Sequence, residues 1–349
     1  MRSLNVLMTA GSRRVPLVEA FRHGLRALGI PGRIIVADVN PLSPAVHVAD
    51  RAYRVPLATD PHYLSELLAI CEAERIRLLV PTIDDELALI GGAREDFRAL
   101  GTLAACSPAA TAALCDDKFQ TCQRLIEAGV PAAATYLPGT LPESPSLPLF
   151  IKPRVGRGAL QAFPVRTAEE LRFFLGYVLD PVVQEYLQGP EFTIDVLCDF
   201  EGRPLSIVPR ERVVIRAGVM DRGRTLNDPR LIELAKAACA AIPFAGPVNI
   251  QCRMRAGSPT IFEINPRFSG GIPLTIQAGA DFPQMLLRMA MGRTVAPAIG
   301  DFRDGLWMTS FERAFFLDAP NIRIQALSRR SGPRAVRSER LEPGVREAA

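Results

Sequence analysis

The feature that most constrains the fold is a regular alternation of apolar runs and amphipathic segments in the first third of the chain. Apolar runs at 4–10, 32–40 and 77–82 are separated by segments with helical spacing, such as 15–28. A strand–helix–strand rhythm of this kind predicts a parallel, doubly wound sheet with helices on both faces. We therefore expect a Rossmann-like α/β domain over residues 1–112.

The remaining two thirds follow a different pattern. Residues 113–187 begin with a helix and then alternate short strands with one more helix, and residues 188–295 mix antiparallel strands with helices, which indicates an α+β arrangement. In the last segment, 296–349, we predict one strand at 305–317. The tail that follows is rich in Arg, Ser and Pro, so we expect it to be partly disordered from about residue 327.

Composition excludes several classes of protein. A net charge of +4 over 349 residues gives no sign of a nucleic-acid-binding face. The sequence has no run of about 18 apolar residues that could form a membrane span. The N-terminus lacks the long apolar region of a signal peptide, so we expect a cytoplasmic protein. The seven cysteines are scattered without a CxxC pair, which predicts reduced, mostly buried thiols and no zinc site.

Lysine is rare in this chain. Of 41 basic residues only Lys118, Lys152 and Lys236 are lysines. Where arginine has replaced lysine almost everywhere, a remaining lysine is a candidate for a position that needs a compact ammonium. Lys236 lies in an ordinary helical stretch, so we interpret its retention as chance.

The strongest local signal is the segment from Phe262 to Gly271. On a strand, Glu263, Asn265 and Arg267 project to one face at steps of about 7 Å. Carboxylate and amide oxygens suit Mg²⁺, and an arginine beside them can stabilise a transferring phosphoryl group. Gln251, on the preceding predicted strand, would face the same ions if the two strands pair. A surface strand with solvated polar residues, followed by a turn, remains the alternative.

Two weaker signals precede it. Lys152 ends an apolar strand and is followed by a turn containing Gly156 and Gly158, which suits phosphate binding, although an ordinary hairpin is the better explanation of this segment in isolation. The segment 182–192 is extended and could bind adenine through its backbone, with a carboxylate a few residues later for ribose. By themselves these segments do not define a function.

Taken in order, these motifs resemble the ATP-grasp family. The series runs from Lys118 and Lys152 with its glycine turn through Gln184-Glu185-Tyr186-Leu187-x-Gly-x-Glu191 and Asn249-Ile250-Gln251 to Glu263-x-Asn265-Pro266-Arg267. It is most similar to the branch with the carbamoyl phosphate synthetase large subunit and the pyrrolysine-pathway ligase. The resemblance covers roughly residues 1–295.

The resemblance implies a fold, a set of cofactors and a reaction. The fold would be an N-terminal Rossmann-like (pre-ATP-grasp) domain followed by a two-lobed ATP-grasp fold, with a lid subdomain at 113–187, a catalytic subdomain at 188–295 and a C-terminal extension at 296–349. The cofactors would be ATP and two Mg²⁺, with Mn²⁺ as an alternative ion. The reaction would activate a carboxylate as an acyl phosphate for attack by an amine, and a homodimer is expected by analogy.

The resemblance also implies roles for individual residues. Lys118 and Lys152 would contact the ATP phosphates beneath a lid loop from Gly156 to Gly158. Adenine would be lined by Glu185, Tyr186 and Leu187, and ribose would be bound by Glu191. Glu263 would bridge two magnesium ions, which Asn265 would also hold with assistance from Gln251. Arg267 would stabilise phosphoryl transfer and the acyl phosphate. In an Arg-rich segment, 209–212 with 216–218, Arg216 would act near the γ-phosphate and the acceptor.

The substrates are not readable from the sequence. Ser12, Arg13, Asp84 and Ser269 are candidates to hold an amino-acid-like group, although each of the first three could equally be a turn former. A carbamoyl phosphate synthetase-like enzyme that phosphorylates bicarbonate or carbamate is the enzymatic alternative. A nucleotide-binding regulator without turnover is the alternative from another class, and the absence of GxGxxG disfavours a Rossmann oxidoreductase.

Overall fold

The computed structural model describes residues 3–156 and 158–318, together with the backbone of strands at 324–327 and 336–339. Within these residues the strands form sheets of seven, six and four strands. Among the helices of this described part, none combines the length and the apolar character needed to cross a bilayer. All seven cysteines are free and buried, as predicted.

Parallel strands form the centre of the first sheet, in the order β3-β2-β1-β4-β5. These strands are β1 (Asn5–Thr9), β2 (Ile34–Asp38), β3 (Arg51–Arg54), β4 (Ile76–Val80) and β5 (Leu103–Ala104). The helices among them are α1 (Val15–Ala27), α2 (Pro44–Val48), α3 (Tyr63–Ala73), α4 (Asp84–Gly92) and α5 (Arg94–Ala99). Val6 and Met8 pack on the side of α1, whereas Leu7 packs on the side of α3. The predicted doubly wound parallel sheet is confirmed.

A small antiparallel sheet follows after two helices, α6 (Ala109–Asp116) and α7 (Lys118–Glu127). Its strands are β6 (Thr135–Tyr136), β7 (Leu149–Pro153), β8 (Phe163–Val165) and β9 (Pro181–Glu185), and their order in the sheet is β6-β9-β7-β8. Helix α8 (Ala168–Tyr177) connects β8 to β9. The Asp117 carboxylate caps α7 by accepting hydrogen bonds from the backbone N–H groups of Phe119 and Gln120. This cap fixes the start of the helix and with it the position of Lys118, its first residue.

The third sheet is antiparallel and carries the ExNPR segment. Its strands are β10 (Glu191–Cys198), β11 (Pro204–Arg216), β12 (Val219–Thr225), β13 (Gly246–Arg255), β14 (Ser258–Asn265) and β15 (Trp307–Thr309), in the order β14-β13-β10-β11-β12-β15. The helices of this part are α9 (Pro229–Ala241), α10 (Ile272–Gln277) and α11 (Phe282–Ala290). One face buries Ile194, Ile250 and Ile264 against α9, which leaves the other face polar.

The C-terminal segment differs from its predicted structure in two ways. The strand predicted at 305–317 is wrong over most of its length, because only Trp307–Thr309 pairs with β12. Two strands that we did not predict, β16 (Ile324–Leu327) and β17 (Val336–Glu339), extend the first sheet beside β3. The rest of the tail lies outside the described residues, and the division of the chain at 112, 187 and 295 stays a prediction.

Candidate active site

Neighbouring strands bring the predicted metal ligands together. In the antiparallel pairing of β13 and β14, Gln251 lies opposite Glu263, and Asn249 lies opposite Asn265. Because side chains alternate along a strand, all four side chains belong to the polar face of the sheet. The strand pairing on which the sequence argument for Gln251 depended is therefore present.

Glu263 is surrounded by positive charge. The Nζ atom of Lys152 lies 4.0 Å from its Oε2, and the Asn265 amide donates a hydrogen bond of 2.9 Å to its Oε1. Burial acts to raise the pKa of Glu263, but the charges of Lys152 and Lys118 hold that pKa below its usual value. The carboxylate is thus ionised at neutral pH, as a magnesium ligand must be.

Lys118 connects helix α7 to the glycine turn after β7. Its Nζ donates to the carbonyl oxygen of Gly156 at 2.7 Å, and Arg154 pairs with the α7 cap Asp117 at 2.6 Å. Lys152 is also buried and donates to the carbonyl of Phe262 at 3.3 Å. The two lysines therefore approach Glu263 from different segments, while Arg157 of the expected lid loop lies outside the described residues.

A cavity of about 10 Å³, enough for one water molecule, lies where these segments meet. Its lining includes Lys118, Gly156, Glu263, Asn265, Asp84 and Asp116. Asp84 begins α4 at the edge of the first sheet, whereas Asp116 is the last residue of α6. The cavity is thus built by the ExNPR strand, the lysine of α7, the glycine turn and the edge of the first sheet.

Arg267 is held by Asp84, the first residue of α4. Its Nε and Nη2 donate to the Asp84 carboxylate at 2.8–3.0 Å, and its Nη2 also reaches the Asn265 amide oxygen at 3.3 Å. Both side chains are largely buried, with 14% and 13% of their surfaces exposed. The structure therefore brings the substrate candidate Asp84 directly to the expected phosphoryl-transfer arginine.

Arg14 is a site-forming residue that the sequence analysis missed. Its guanidinium donates to the backbone carbonyls of Phe268 and Ser269 at 3.1 and 2.9 Å, and to that of Thr82 at 3.0 Å. Burial lowers the pKa of Arg14 to about 10, and the charge of Arg267 acts in the same direction. Arg14 thereby ties the loop after β1 and the loop after β4 to the loop after β14. The Arg-Arg pair in the sequence was the available signal, and we chose its exposed member.

The other substrate candidates have different environments. Ser12 and Arg13 are exposed, and the Ser12 N–H donates to the Asp38 carboxylate at 2.7 Å. Ser269 is buried, and its hydroxyl accepts a hydrogen bond of 2.8 Å from Arg210. Their proposed contacts with substrate stay predictions, but Ser269 already has a structural partner.

Arg210 forms a fully buried ion pair on the polar face. It donates to Asp195 at 2.8 and 3.0 Å, and each side chain is 1% exposed. Thr275 also donates to Asp195, at 2.5 Å. With Ser269, this network anchors the turn at Gly271 against the sheet.

Arg212 was also missed, although its segment was noted. Its Nη1 donates to Glu191 at 2.7 Å and to the Gln251 amide oxygen at 3.2 Å, and its Nη2 donates to the Gly218 carbonyl at 2.6 Å. Glu191 accepts a second ion pair from Arg253. The expected ribose ligand is therefore already paired with two arginines.

Arg216, which we selected from the same segment, points elsewhere. Its side chain is 57% exposed and pairs with Asp221 and Glu312 at 3.2 and 3.5 Å. Irregularities in the pairing of β11 with β12 begin after Arg212, so the strict alternation of faces ends there. The predicted role of Arg216 near the γ-phosphate has no support from these contacts.

The side chains of the expected adenine segment point in two different directions. Glu185 accepts hydrogen bonds from the Ala134 N–H at 3.1 Å and from Arg255 at 2.6 Å, and Leu187 is buried. Tyr186 instead lies beside Phe150 and lines a separate cavity of about 320 Å³. The Tyr186 side chain therefore faces away from those of Glu185 and Leu187, and the adenine contacts expected of these three residues stay predictions.

Family models match two parts of the chain. A model described as PylC-like, N-terminal domain, matches residues 6–105, and one described as ATP-grasp in the biosynthetic pathway with Ter operon matches residues 179–314. The second match contains the strands that carry Glu191, Gln251 and Glu263. The first covers the sheet that supplies Asp84.

Curated relatives are carbamoyl phosphate synthase large chains. That of Thermoanaerobacter sp. (strain X514) is 25% identical over 179 residues, covering 46% of this chain and 16% of the relative. The arginine-specific large chain of Geobacillus stearothermophilus is 24% identical over 317 residues, covering 81% of this chain and 29% of the relative. This chain thus spans less than a third of the length of these relatives.

Solved structures share the fold across most of the chain. Biotin carboxylase from Campylobacter jejuni aligns with a TM-score of 0.67 at 15% identity, covering 86% of this chain and 74% of that one. L-amino acid ligase from Bacillus licheniformis aligns with a TM-score of 0.65 at 19% identity, covering 87% and 78%. The chain therefore has the fold of these structures over most of its length, with a match to an ATP-grasp family model at residues 179–314 and to a PylC-like N-terminal domain model at residues 6–105.

Proposed function

We propose that the protein is an ATP-dependent ligase that activates a carboxylate as an acyl phosphate and transfers the acyl group to an amine. The observation that carries the proposal is the meeting of Lys118, Lys152 and Glu263 at one place from three separate segments. Two buried ammonium groups facing a carboxylate and an amide oxygen suit a polyphosphate and a divalent cation.

In this proposal, each part of the nucleotide is bound by a different group of residues. Lys118 and Lys152 contact phosphate oxygens, and the turn from Gly156 to Gly158 covers them. The backbone of Glu185 and Leu187 binds adenine. Glu191 can still accept ribose hydroxyls, because a carboxylate has about four acceptor positions and its arginine partners fill only some of them.

Glu263 and Asn265 would hold magnesium, which neutralises phosphate charge when it is bound. The donor set fits one such ion directly: one ionised carboxylate and one amide oxygen. The second ion of the expected pair would need Gln251, whose oxygen accepts a hydrogen bond from Arg212. Mn²⁺ takes the same oxygen ligands and serves as an alternative ion.

Arg267 would stabilise the charge that develops when a substrate carboxylate oxygen attacks the γ-phosphorus, the bond to the bridging oxygen breaks and ADP leaves. To do so it exchanges part of its contact with Asp84 for the phosphoryl oxygens. The acyl phosphate then needs protection from water, which closure of the glycine turn over Lys118 would give. Attack by an amine releases phosphate and forms the amide.

The test is release of ADP from ATP with a panel of amino acids, other small carboxylates and bicarbonate, each with amine acceptors. Wild type, Glu263→Gln and the exposed control Glu233→Gln are compared in Mg²⁺ and in EDTA. We expect substrate-stimulated ADP release that requires Mg²⁺ and falls by about a hundredfold or more in Glu263→Gln only.

The panel also separates the alternatives. Stimulation by bicarbonate alone would favour the reaction expected from the carbamoyl phosphate synthase relatives. If ATP binds but nothing in the panel stimulates turnover, and Glu263→Gln behaves as wild type, the ligase proposal fails and a nucleotide-binding regulator takes its place.

A further inference from the structure

Three carboxylates line the cavity at the candidate active site, and they differ in their partners. Glu263 lies beside Lys152 and is the expected metal ligand. Asp84 is held by its bidentate contact with Arg267. Asp116, the last residue of α6, has no hydrogen bond or ion pair among the described residues. Of these three side chains, Asp116 therefore has oxygens available to receive a group from a substrate.

The place of Asp116 in the fold does not favour a carboxylate. The C-terminal end of a helix carries partial negative charge, and Asp116 ends α6. Asp84 and Asp85, at the start of the neighbouring α4, add two negative charges close by. An acidic residue without a counter-ion is unfavourable for folding here, which indicates a role other than stability.

The charges around Asp116 suit a proton acceptor. They belong to the starts of α4 and α7 and to β14: Asp84, Asp85, Asp117, Lys118 and Glu263. Burial raises the pKa of Asp116, and the acidic neighbours on α4 add to that effect, whereas the charge of Lys118 opposes it. Since the net shift is upward, this carboxylate accepts a proton more readily than an exposed aspartate does.

The proposed reaction needs such a group at this end of the site. An alkyl amine with a pKa like that of lysine, about 10.4, is protonated at neutral pH and has no lone pair for attack. Lys118, Lys152 and Arg267 already supply positive charge here, which repels an ammonium ion unless a carboxylate offsets it. Asp116 can attract the ammonium group and also remove its proton.

We infer that Asp116 is the general base that takes a proton from the amine substrate before attack on the acyl phosphate. The nitrogen lone pair then forms the C–N bond. The bond between the acyl carbon and the phosphate oxygen breaks, and its electron pair leaves with phosphate. A second proton from nitrogen also leaves with the phosphate, and Asp116 returns the first to solvent. Asp116 can act in this way only if the protein is the proposed ligase, whose acceptor is then a primary amine that is protonated in solution.

The test compares hydroxylamine, which is largely unprotonated at neutral pH, with the protonated amines of the acceptor panel. Both kinds of nucleophile attack an acyl phosphate, but only the protonated amines need a base. In Asp116→Asn we expect amide formation with these amines to fall about a hundredfold or more, whereas hydroxamate formation should change less than about threefold. Asp116→Glu retains a carboxylate and should recover part of the amide formation. Glu127→Gln, at an exposed carboxylate of α7, should match the wild type.

Binding and stability distinguish a base from a metal ligand or a structural residue. A non-hydrolysable ATP analogue should bind Asp116→Asn and the wild type equally well, with the same dependence on Mg²⁺. Thermal unfolding should show no loss of stability in Asp116→Asn, because the change breaks no contact and removes an unfavourable charge. Asp116→Ser is a second variant without the carboxylate and should give the same pattern if Asp116→Asn does not fold.

Three results would overturn the inference. They are equal losses with hydroxylamine and with protonated amines, weaker Mg²⁺-dependent binding of the analogue to the variant, and a wild type that uses hydroxylamine but no protonated amine. The proposed function fails in a different way: the wild type, supplied with ATP, Mg²⁺ and hydroxylamine, forms no hydroxamate from any carboxylate of the panel. The two failures are therefore distinguishable.

Discussion

Arg267 and Asp84, which are 183 residues apart in the chain, form a bidentate ion pair with N–O distances of 2.8–3.0 Å. The pair joins the first turn of α4, at the edge of the N-terminal sheet, to the loop that follows the metal-binding strand β14. A group expected to act on phosphoryl oxygens is thus positioned by the other half of the molecule. Formation of the site and packing of the two parts are consequently linked.

The Asp84–Arg267 pair should contribute measurably to stability. In a double-mutant cycle with Asp84→Asn and Arg267→Gln, we expect a coupling free energy of about 1–3 kcal/mol, since the pair is largely buried and bidentate. Urea denaturation measures it. The exposed pair of Arg98 and Glu95 is the control and should give less than about 0.5 kcal/mol. Equal coupling in both cycles would contradict a special role for the buried pair.

Replacing Arg14 should loosen the connection between the N-terminal loops and the loop after β14. Arg14→Ala removes three hydrogen bonds to carbonyls, so we expect a loss of about 2–4 kcal/mol in the free energy of unfolding. Arg14→Lys should recover little, because an ammonium cannot span the same carbonyls as a planar fork. The adjacent exposed Arg13→Ala is the control and should unfold like the wild type; a similar loss there would refute the assignment.

Gly271 has no room for a side chain. A Cβ atom at this position would lie 2.4 Å from Nη1 of Arg210 and 3.1 Å from Cε of Met220. Arg210 cannot move away without breaking its buried pair with Asp195, so we expect Gly271→Ala to destabilise the protein by about 2–4 kcal/mol. Gly139→Ala, where no atom lies within 4 Å, should change thermal stability little. An unaffected melting temperature in Gly271→Ala would show that this turn adapts.

Glu86 should make stability depend on pH in a defined direction. Its carboxylate is buried and accepts hydrogen bonds from Tyr63 and the Thr82 N–H, and burial raises its pKa above the ordinary value. The folded state therefore favours the protonated form more than the unfolded state does. As pH rises from the unfolded pKa of about 4.3 through the raised value, this residue's contribution to stability decreases and then levels off.

Urea denaturation of the wild type and Glu86→Gln between pH 4 and pH 8 tests this sign. The free energy of unfolding of the wild type relative to the variant should fall as the pH rises, by at most about 1.4 kcal/mol per pH unit. The same comparison of the wild type with Glu233→Gln, a change at an exposed carboxylate, should show no such trend over the same pH range. A difference that grows with pH would mean that the hydrogen bonds outweigh burial.

Local patterns in the sequence determined much of this protein. Apolar runs with helices between them predict the parallel sheet, because the strands of such a sheet are buried on both faces. Because side chains alternate along a strand, Glu263 and Asn265 are predicted to lie on one face. Because lysine is rare in this chain, Lys118 and Lys152 stand out as candidates for functional positions. Each of these inferences depends on residues close in sequence or on a regular geometry, which is why the sequence sufficed.

Only the tertiary structure decided the partners of the charged groups. Nothing local distinguishes Arg14 from Arg13 or Arg212 from Arg216, yet one of each pair is inserted into the site and the other is exposed. The irregular pairing of β11 after Arg212 ends the alternation that would have placed Arg216 on the same face as Arg212. Asp84 reaches Arg267 only when the two sheets pack together. Long-range electrostatic contacts depend on how separate elements pack against each other. The spacing of residues within a single segment does not predict that packing.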